Sequence, residues 1–225
     1  MIQSASEGER GSVTLVDFDW TLFDTTEFIV DLVEDISAVS GVDVGTVRTD
    51  LDHHHVDPVL GGYDLDAHAR QYDLDPDMMW RRVDGLVRDK DYLYADSEEF
   101  IQELRGAGAD PSILSFGEPR FQSTKIVPNL ARLAGVAQAE QDKGRGLAFE
   151  TVFEPKTLHI ARRYPGRHGF LVDDKPGQNL SGGFVEVHFD VMSGLKSPKE
   201  TETGFVVASL AQAAQVIKEH RRERS

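Results

Sequence analysis

The chain has no cysteine among its 225 residues. This excludes disulfides, thiolate metal centres and cysteine nucleophiles, and it leaves oxygen and imidazole as the ligands open to a metal. A long apolar run is also missing. Stretches such as Val13–Val16 and Gly169–Val172 fall far below the ~20 residues a membrane-spanning helix requires, so no membrane span is expected. The polar stretch from Met1 to Ser12 has no basic start followed by an apolar core. Without that secretory pattern, the expected location is cytoplasmic. Positive charge is scarce, with 24 Lys and Arg against 39 Asp and Glu, a formal net charge of -15. Such a field disfavours nucleic acid and anionic membrane surfaces as partners.

What is present suffices for a folded core. Hydrophobic residues make up 40% of the chain, and this length suits one substantial domain, or one domain with a smaller insertion. Ser12-Val13-Thr14-Leu15-Val16-Asp17-Phe18-Asp19 is a β-branched apolar run ending in acids, and it reads as a buried strand. Similar runs lie at Pro111–Phe116, Gly169–Asp173 and Phe184–Phe189, with helical stretches between at Ser97–Gly106, Asn129–Ala134 and Pro155–Arg163. This alternation predicts an α/β fold with a Rossmann-like parallel sheet covered on both faces.

From Thr25 to about Tyr94 the apolar residues recur at helical spacing and no strand is visible. Phe28, Ile29, Leu32, Val33, Ile36 and Val39 form one stripe, which Thr25 or Thr26 can cap. Further helical stretches cover Val44–Leu51, Asp66–Tyr72 and Asp75–Val87, with Gly41 and Gly61-Gly62 as breakers. The predicted division is a flexible N-terminus over 1–11, an α/β core over 12–24 and 95–225, and an inserted helical domain over 25–94. A last helix runs from Ser209 to Arg224.

Asp17-Phe18-Asp19-Trp20-Thr21 sets two carboxylates two residues apart where the first strand ends, and an extended chain points both the same way. The crevice of an open parallel sheet lies beyond such strand ends. Ser115 and Gly117 end another apolar run, the glycine permitting close approach of the backbone. Asp173-Asp174 ends a third. Adjacent carboxylates repel unless a cation is near, which points to a divalent metal, with pairing to Lys175 as the plainer alternative. Lys156 stands in the first turn of a helix begun by Pro155, placed either in solvent or on a phosphate oxygen.

Taken in order, Asp17/Asp19/Thr21, Ser115, Lys156 and Asp173/Asp174 resemble the four motifs of the haloacid dehalogenase superfamily, over about Val13 to Phe189. The helical insertion after the first motif resembles the cap of phosphoglycolate phosphatase-like and phosphoglucomutase-like members, and Leu93–Ser97 resembles the return from it. The resemblance implies a Mg2+-dependent phosphatase acting on a small phosphorylated metabolite, as a monomer or homodimer. It implies that Asp17 attacks phosphorus to form an aspartyl-phosphate and that Asp19 serves as acid and base. Thr21, Ser115, Gly117 and Lys156 would bind the phosphoryl group, and Asp17, the Asp19 carbonyl, Asp173 and Asp174 would hold Mg2+. Asp19 favours phosphorus over carbon, because displacing a halide needs no proton donor. A phosphotransferase or mutase, a nucleotidase, and a non-catalytic binding protein are the other functions this fold carries.

Two departures stand out. Asp174 is followed by Lys175-Pro176-Gly177 without the further acid of many members, and Lys125 is an alternative to Lys156. Lys156 is preferred for its place at a helix start before the acidic pair. Among the remaining features, His53-His54-His55 reads as a solvated loop, since consecutive side chains point apart. Met78, Met79 and Trp80 read as interior packing, and so does Trp20.

Overall fold

The computed structural model describes residues 12–54, 62–144, 146–180 and 182–223. Its strands are β1 (Val13–Val16), β2 (Asp110–Phe116), β3 (Ala148–Val152), β4 (Gly169–Asp173), β5 (Phe184–Phe189), β6 (Lys199–Glu200) and β7 (Gly204–Val207). They form one sheet in the order β3-β2-β1-β4-β5-β7-β6, parallel throughout except where β6 pairs antiparallel with β7. The runs that form β1 and β4 are nearly continuous in apolar residues because both their faces are covered. Alternate side chains serve opposite sides. Val16, Ile113 and Val172 enter the larger apolar cluster, while Leu15, Leu114 and Leu171 enter a smaller one with Ile160.

The helices are α1 (Thr25–Ser40), α2 (Val44–His54), α3 (Leu65–Gln71), α4 (Pro76–Asp89), α5 (Ser97–Gly106), α6 (Pro119–Ile126), α7 (Leu130–Leu133), α8 (Gln138–Asp142), α9 (Lys156–Arg163) and α10 (Leu210–Glu223). Between β1 and β2 the described chain is helical, and α1 to α4 pack on one another. Their interior, including Phe28, Leu32, Leu51, Met79 and Val83, is continuous with the larger cluster on the sheet. Ser97 Oγ at the head of α5 donates to the Leu22 carbonyl at 2.8 Å, tying the segment that follows the helical stretch to the loop that precedes it.

Several expectations change. The first strand ends at Val16 rather than Asp19. Neither threonine caps α1; the Asp24 carboxylate accepts from the Glu27 amide at 2.9 Å, because a charged acceptor serves the helix start better. Strands β3 and β7 were not visible as runs, being short, mixed in polarity and only partly buried. Helix α6 was not visible either, since its buried residues alternate apolar with polar: Phe121, Gln122, Lys125 and Ile126. Trp20 is 39% exposed rather than packed. Residues 1–11, Gly61 and His55 lie outside the described residues, as do the side chains of His53 and His54.

Gly169 shows how closely the strands approach. A Cβ there would stand 2.4 Å from the Val13 carbonyl oxygen and 2.7 Å from the Phe184 ring. Gly169→Ala is expected to lower stability by about 1–3 kcal/mol through overpacking, read as a shifted urea midpoint with an unchanged slope.

Candidate active site

Parallel register decides which side chains meet. Val16 is level with Val172, and the Asp17 amide continues the ladder by donating to the Val172 carbonyl at 2.8 Å. Asp17 and Asp173 therefore leave neighbouring strands side by side at the carboxyl edge of the sheet. Lys156, the first residue of α9, sets its Nζ 2.7 Å from Asp17 Oδ1 and 2.7 Å from Asp173 Oδ2. All three are buried. Asp17 Oδ1 also accepts from the Phe18 amide at 2.7 Å, and Asp173 Oδ1 from the Lys175 amide at 2.8 Å. The ammonium meeting the acidic pair is thus that of Lys156; Lys175 supplies its backbone and leaves its side chain exposed.

Oxygens of Asp17, Asp173 and Asp174 lie within 4.8 Å of one another. With all three ionised, these carboxylates against the Lys156 ammonium would leave two negative charges in excess. Burial pushes Asp17 up to about 7, with Lys156 holding it back and Asp173 adding to the rise. Asp174 is likewise raised, by burial and then by Asp173. Burial alone would discharge Lys156, but Asp17 and Asp173 reverse this and hold the ammonium above the ordinary lysine range. Asp174 Oδ1 is sealed from solvent and has no hydrogen-bond partner. An orphaned carboxylate oxygen in an all-oxygen set with a double negative excess fits a hard divalent cation such as Mg2+.

The chain does not stay extended beyond Asp17. Trp20 adopts a left-handed φ of 57°, which bulky side chains rarely take, and Asp19 bridges to Phe23 across the resulting turn. As a result the two motif acids meet different lysines. Asp19 Oδ1 is ion-paired with Lys125 Nζ and accepts from Thr25 Oγ1 at 2.6 Å. Burial pushes Asp19 up, but Lys125, Thr25 and Gln122 outweigh it and hold the carboxyl below its ordinary range. Lys125 is only 1% exposed. Its Nζ stands 5.1, 5.7 and 6.0 Å from the ring centres of Phe121, Phe23 and Phe28, an aromatic cage that offsets part of the lost hydration. The choice between Lys156 and Lys125 thus becomes a division, one lysine to each acid.

Thr21 and Ser115 are wholly buried and present no surface to solvent. Thr21 Oγ1 has no partner, and Ser115 Oγ donates to Gln122 Oε1 at 3.2 Å. The Gly117 amide donates to the Val152 carbonyl at 3.0 Å, and a Cβ on Gly117 would stand 2.6 Å from Gln122 Nε2. What Gly117 supplies here is the room for Gln122. The contact of Thr25 with Asp19, and Gln122 altogether, escaped the sequence reading. Gln122 and Lys125 are three apart on α6, hence one turn apart on the same side, but that spacing is informative only once the helix is known.

Above Asp17 and Asp19 lies a cavity of about 160 Å³ whose walls come from both the sheet edge and the helical stretch. Trp20 lines it and also a second cavity containing Asp174 and His188.

This sheet order, with acids on the edges of β1 and β4 and a helical segment after β1, is the haloacid dehalogenase-like α/β fold. Three solved structures carry the comparison. A putative haloacid dehalogenase-like hydrolase from Burkholderia xenovorans LB400 is 18% identical, covers 92% of this chain and 96% of its own, and has a TM-score of 0.63. A phosphatase of the same fold from Thermococcus onnurineus is 16% identical over 92% of this chain and 97% of its own, with a TM-score of 0.58. The Bacillus subtilis putative hydrolase YfnB, bound to magnesium, is 12% identical over 93% and 99%, with a TM-score of 0.54. Dehalogenases are also among the similar structures. No protein-family model matches the sequence, and no curated protein matches it.

Lys125→Met is expected to destabilise the metal-free protein by about 3–5 kcal/mol, because Asp19 is left buried without its countercharge. Denaturation of the single variants and of Asp19→Asn/Lys125→Met should show strong coupling, the double variant recovering much of the loss.

Proposed function

We propose that the chain is a Mg2+-dependent phosphomonoesterase of the haloacid dehalogenase superfamily, acting on a small phosphorylated metabolite, with the helical segment over 25–94 as its cap. The observation that carries this reading is the Asp17–Asp173–Asp174 set around the single Lys156 ammonium, three carboxylates to one cation, with an Asp174 oxygen orphaned. Asp17, Asp173 and Asp174, together with the Asp19 carbonyl, would hold Mg2+. Bound there, the ion supplies charge neutralisation between an anionic nucleophile and an anionic ester.

In this proposal Asp17 attacks phosphorus as the bond to the leaving oxygen breaks, forming an aspartyl-phosphate. The proton of a monoanionic ester is relayed through Asp19 to the leaving alcohol. Water then attacks phosphorus and gives a proton to Asp19, and the bond to Asp17 breaks, releasing inorganic phosphate. Lys156, paired with Asp17, would contact the phosphoryl oxygens. Lys125 keeps Asp19 anionic at rest, which suits the water-activating half. Cap helices packed over the edge keep bulk water from the acyl phosphate.

Carbon chemistry fits less well. Halide leaves without a proton, so the Asp19–Lys125–Thr25 assembly would have no task in a dehalogenase. The expected outcome is phosphate release from small esters with Mg2+, its loss with EDTA, and no chloride release from 2-chloropropionate. Asp17→Asn should lower turnover by a factor on the order of 10⁴ or more. The opposite pattern, chloride without phosphate, would sink the proposal. Mg2+ binding must also displace the proton from a carboxyl pushed up to about 7. Calorimetry should therefore find binding tighter at pH 8 than at pH 6, by roughly tenfold.

A further inference from the structure

Building on the phosphatase reading, we propose that the substrate is a monoester of a compact apolar alcohol, and that sugar phosphates and nucleotides are excluded. The cavity over Asp17 and Asp19 has Phe28, Ile29 and Leu32 of α1, Leu51 of α2 and Phe121 of α6 in its walls. Its polar side chains are already committed within the protein. The Tyr63 hydroxyl is 2.8 Å from His68 Nδ1, and the Trp20 indole donates to Thr26 Oγ1 at 3.1 Å. Gln122 accepts from Ser115 and donates to the Phe116 carbonyl at 3.1 Å. Thr25 and Lys125 both serve Asp19. Lys175, at the cavity's rim, is exposed.

Among the described residues, a polyol entering this space would lose water from its hydroxyls and gain few replacement partners beyond Lys175 at the rim, a penalty that rejects a polar ligand. An apolar group gains from the same surroundings. Size sets a second limit. A cavity of ~150 Å³ lined by such residues takes a benzene ring, and the volume here is about 160 Å³. As the described residues bound it, this space takes a short branched chain or a single ring, and a nucleoside is too large for it.

The test uses phosphonates, whose carbon–phosphorus bond is not hydrolysed, so that binding is read without turnover. The Mg2+-loaded full chain is titrated calorimetrically with benzylphosphonate and with 2,3-dihydroxypropylphosphonate. The benzyl compound is expected to bind at least about tenfold tighter, since one methylene in an apolar pocket is already worth about that much. Ile29→Asn should abolish the preference and Ile29→Leu should keep it, thermal melts confirming that both fold. Equal or tighter binding of the dihydroxypropyl compound, binding of neither, or a preference that survives in folded Ile29→Asn overturns the inference. The wild-type comparison stands by itself should Ile29→Asn not fold. Phosphate release from benzyl phosphate and from glycerol 3-phosphate is measured in parallel. A benzyl preference in binding with no phosphate released from either ester leaves the apolar site standing and defeats the phosphatase reading alone.

Discussion

The arrangement at the sheet edge depends on one contact, the Lys156 ammonium shared by Asp17 and Asp173. Two carboxylates from adjacent parallel strands are forced together by register, and in a buried setting neither would keep its charge without a cation between them. Lys156 supplies only one positive charge. With Asp174 alongside, the edge keeps a net negative excess and an unpartnered oxygen, a state that a divalent cation relieves. Strand β4 is buried throughout and β1 from Thr14 onward, with apolar side chains predominating, so this charge imbalance is confined to the end where the sheet opens.

The second ion pair is separate in both partners and surroundings. Asp19 and Lys125 meet among Phe23, Phe28 and Phe121, and Thr25 completes the carboxylate's shell. Two members of that group, Thr25 and Phe28, belong to α1, while Lys125 and Phe121 belong to α6. The pair thus joins the helical stretch to the sheet domain at the site itself. A buried pair of this kind is a poor source of net stability, but breaking it is costly, so it fixes the geometry around Asp19. In the proposed reaction the two pairs divide the work, one serving the nucleophile and the other the proton carrier.

Much of this was legible beforehand, for identifiable reasons. Asp17, Asp173 and Lys156 each sit where an apolar run ends or a helix begins, and parallel sheets gather such positions at one edge. Of the four predicted strands, β1 and β4 are covered on both faces, which writes them as nearly continuous apolar runs, while β2 and β5 keep enough buried apolar residues to be seen. Edge strand β3 and helix α6 were not legible. The first is only partly covered, and the second turns Gln122 and Lys125 inward where an apolar stripe was sought. Thr25 was read as a helix cap from its residue type, a role that Asp24 takes because its carboxylate is the stronger acceptor for the Glu27 amide.

By itself the sequence determined the class of fold, the edge at which the acids collect and the exclusion of thiol chemistry. These follow from residue type and short-range pattern. Tertiary structure alone decided that Asp17 and Asp19 face different lysines, that Lys125 is caged by aromatics from distant segments, and that the space above them is walled largely by apolar side chains. Those facts depend on the turn at Trp20 and on side chains more than a hundred residues apart, such as Asp19 and Lys125, coming into contact. No local periodicity encodes a distance between segments that only packing brings together.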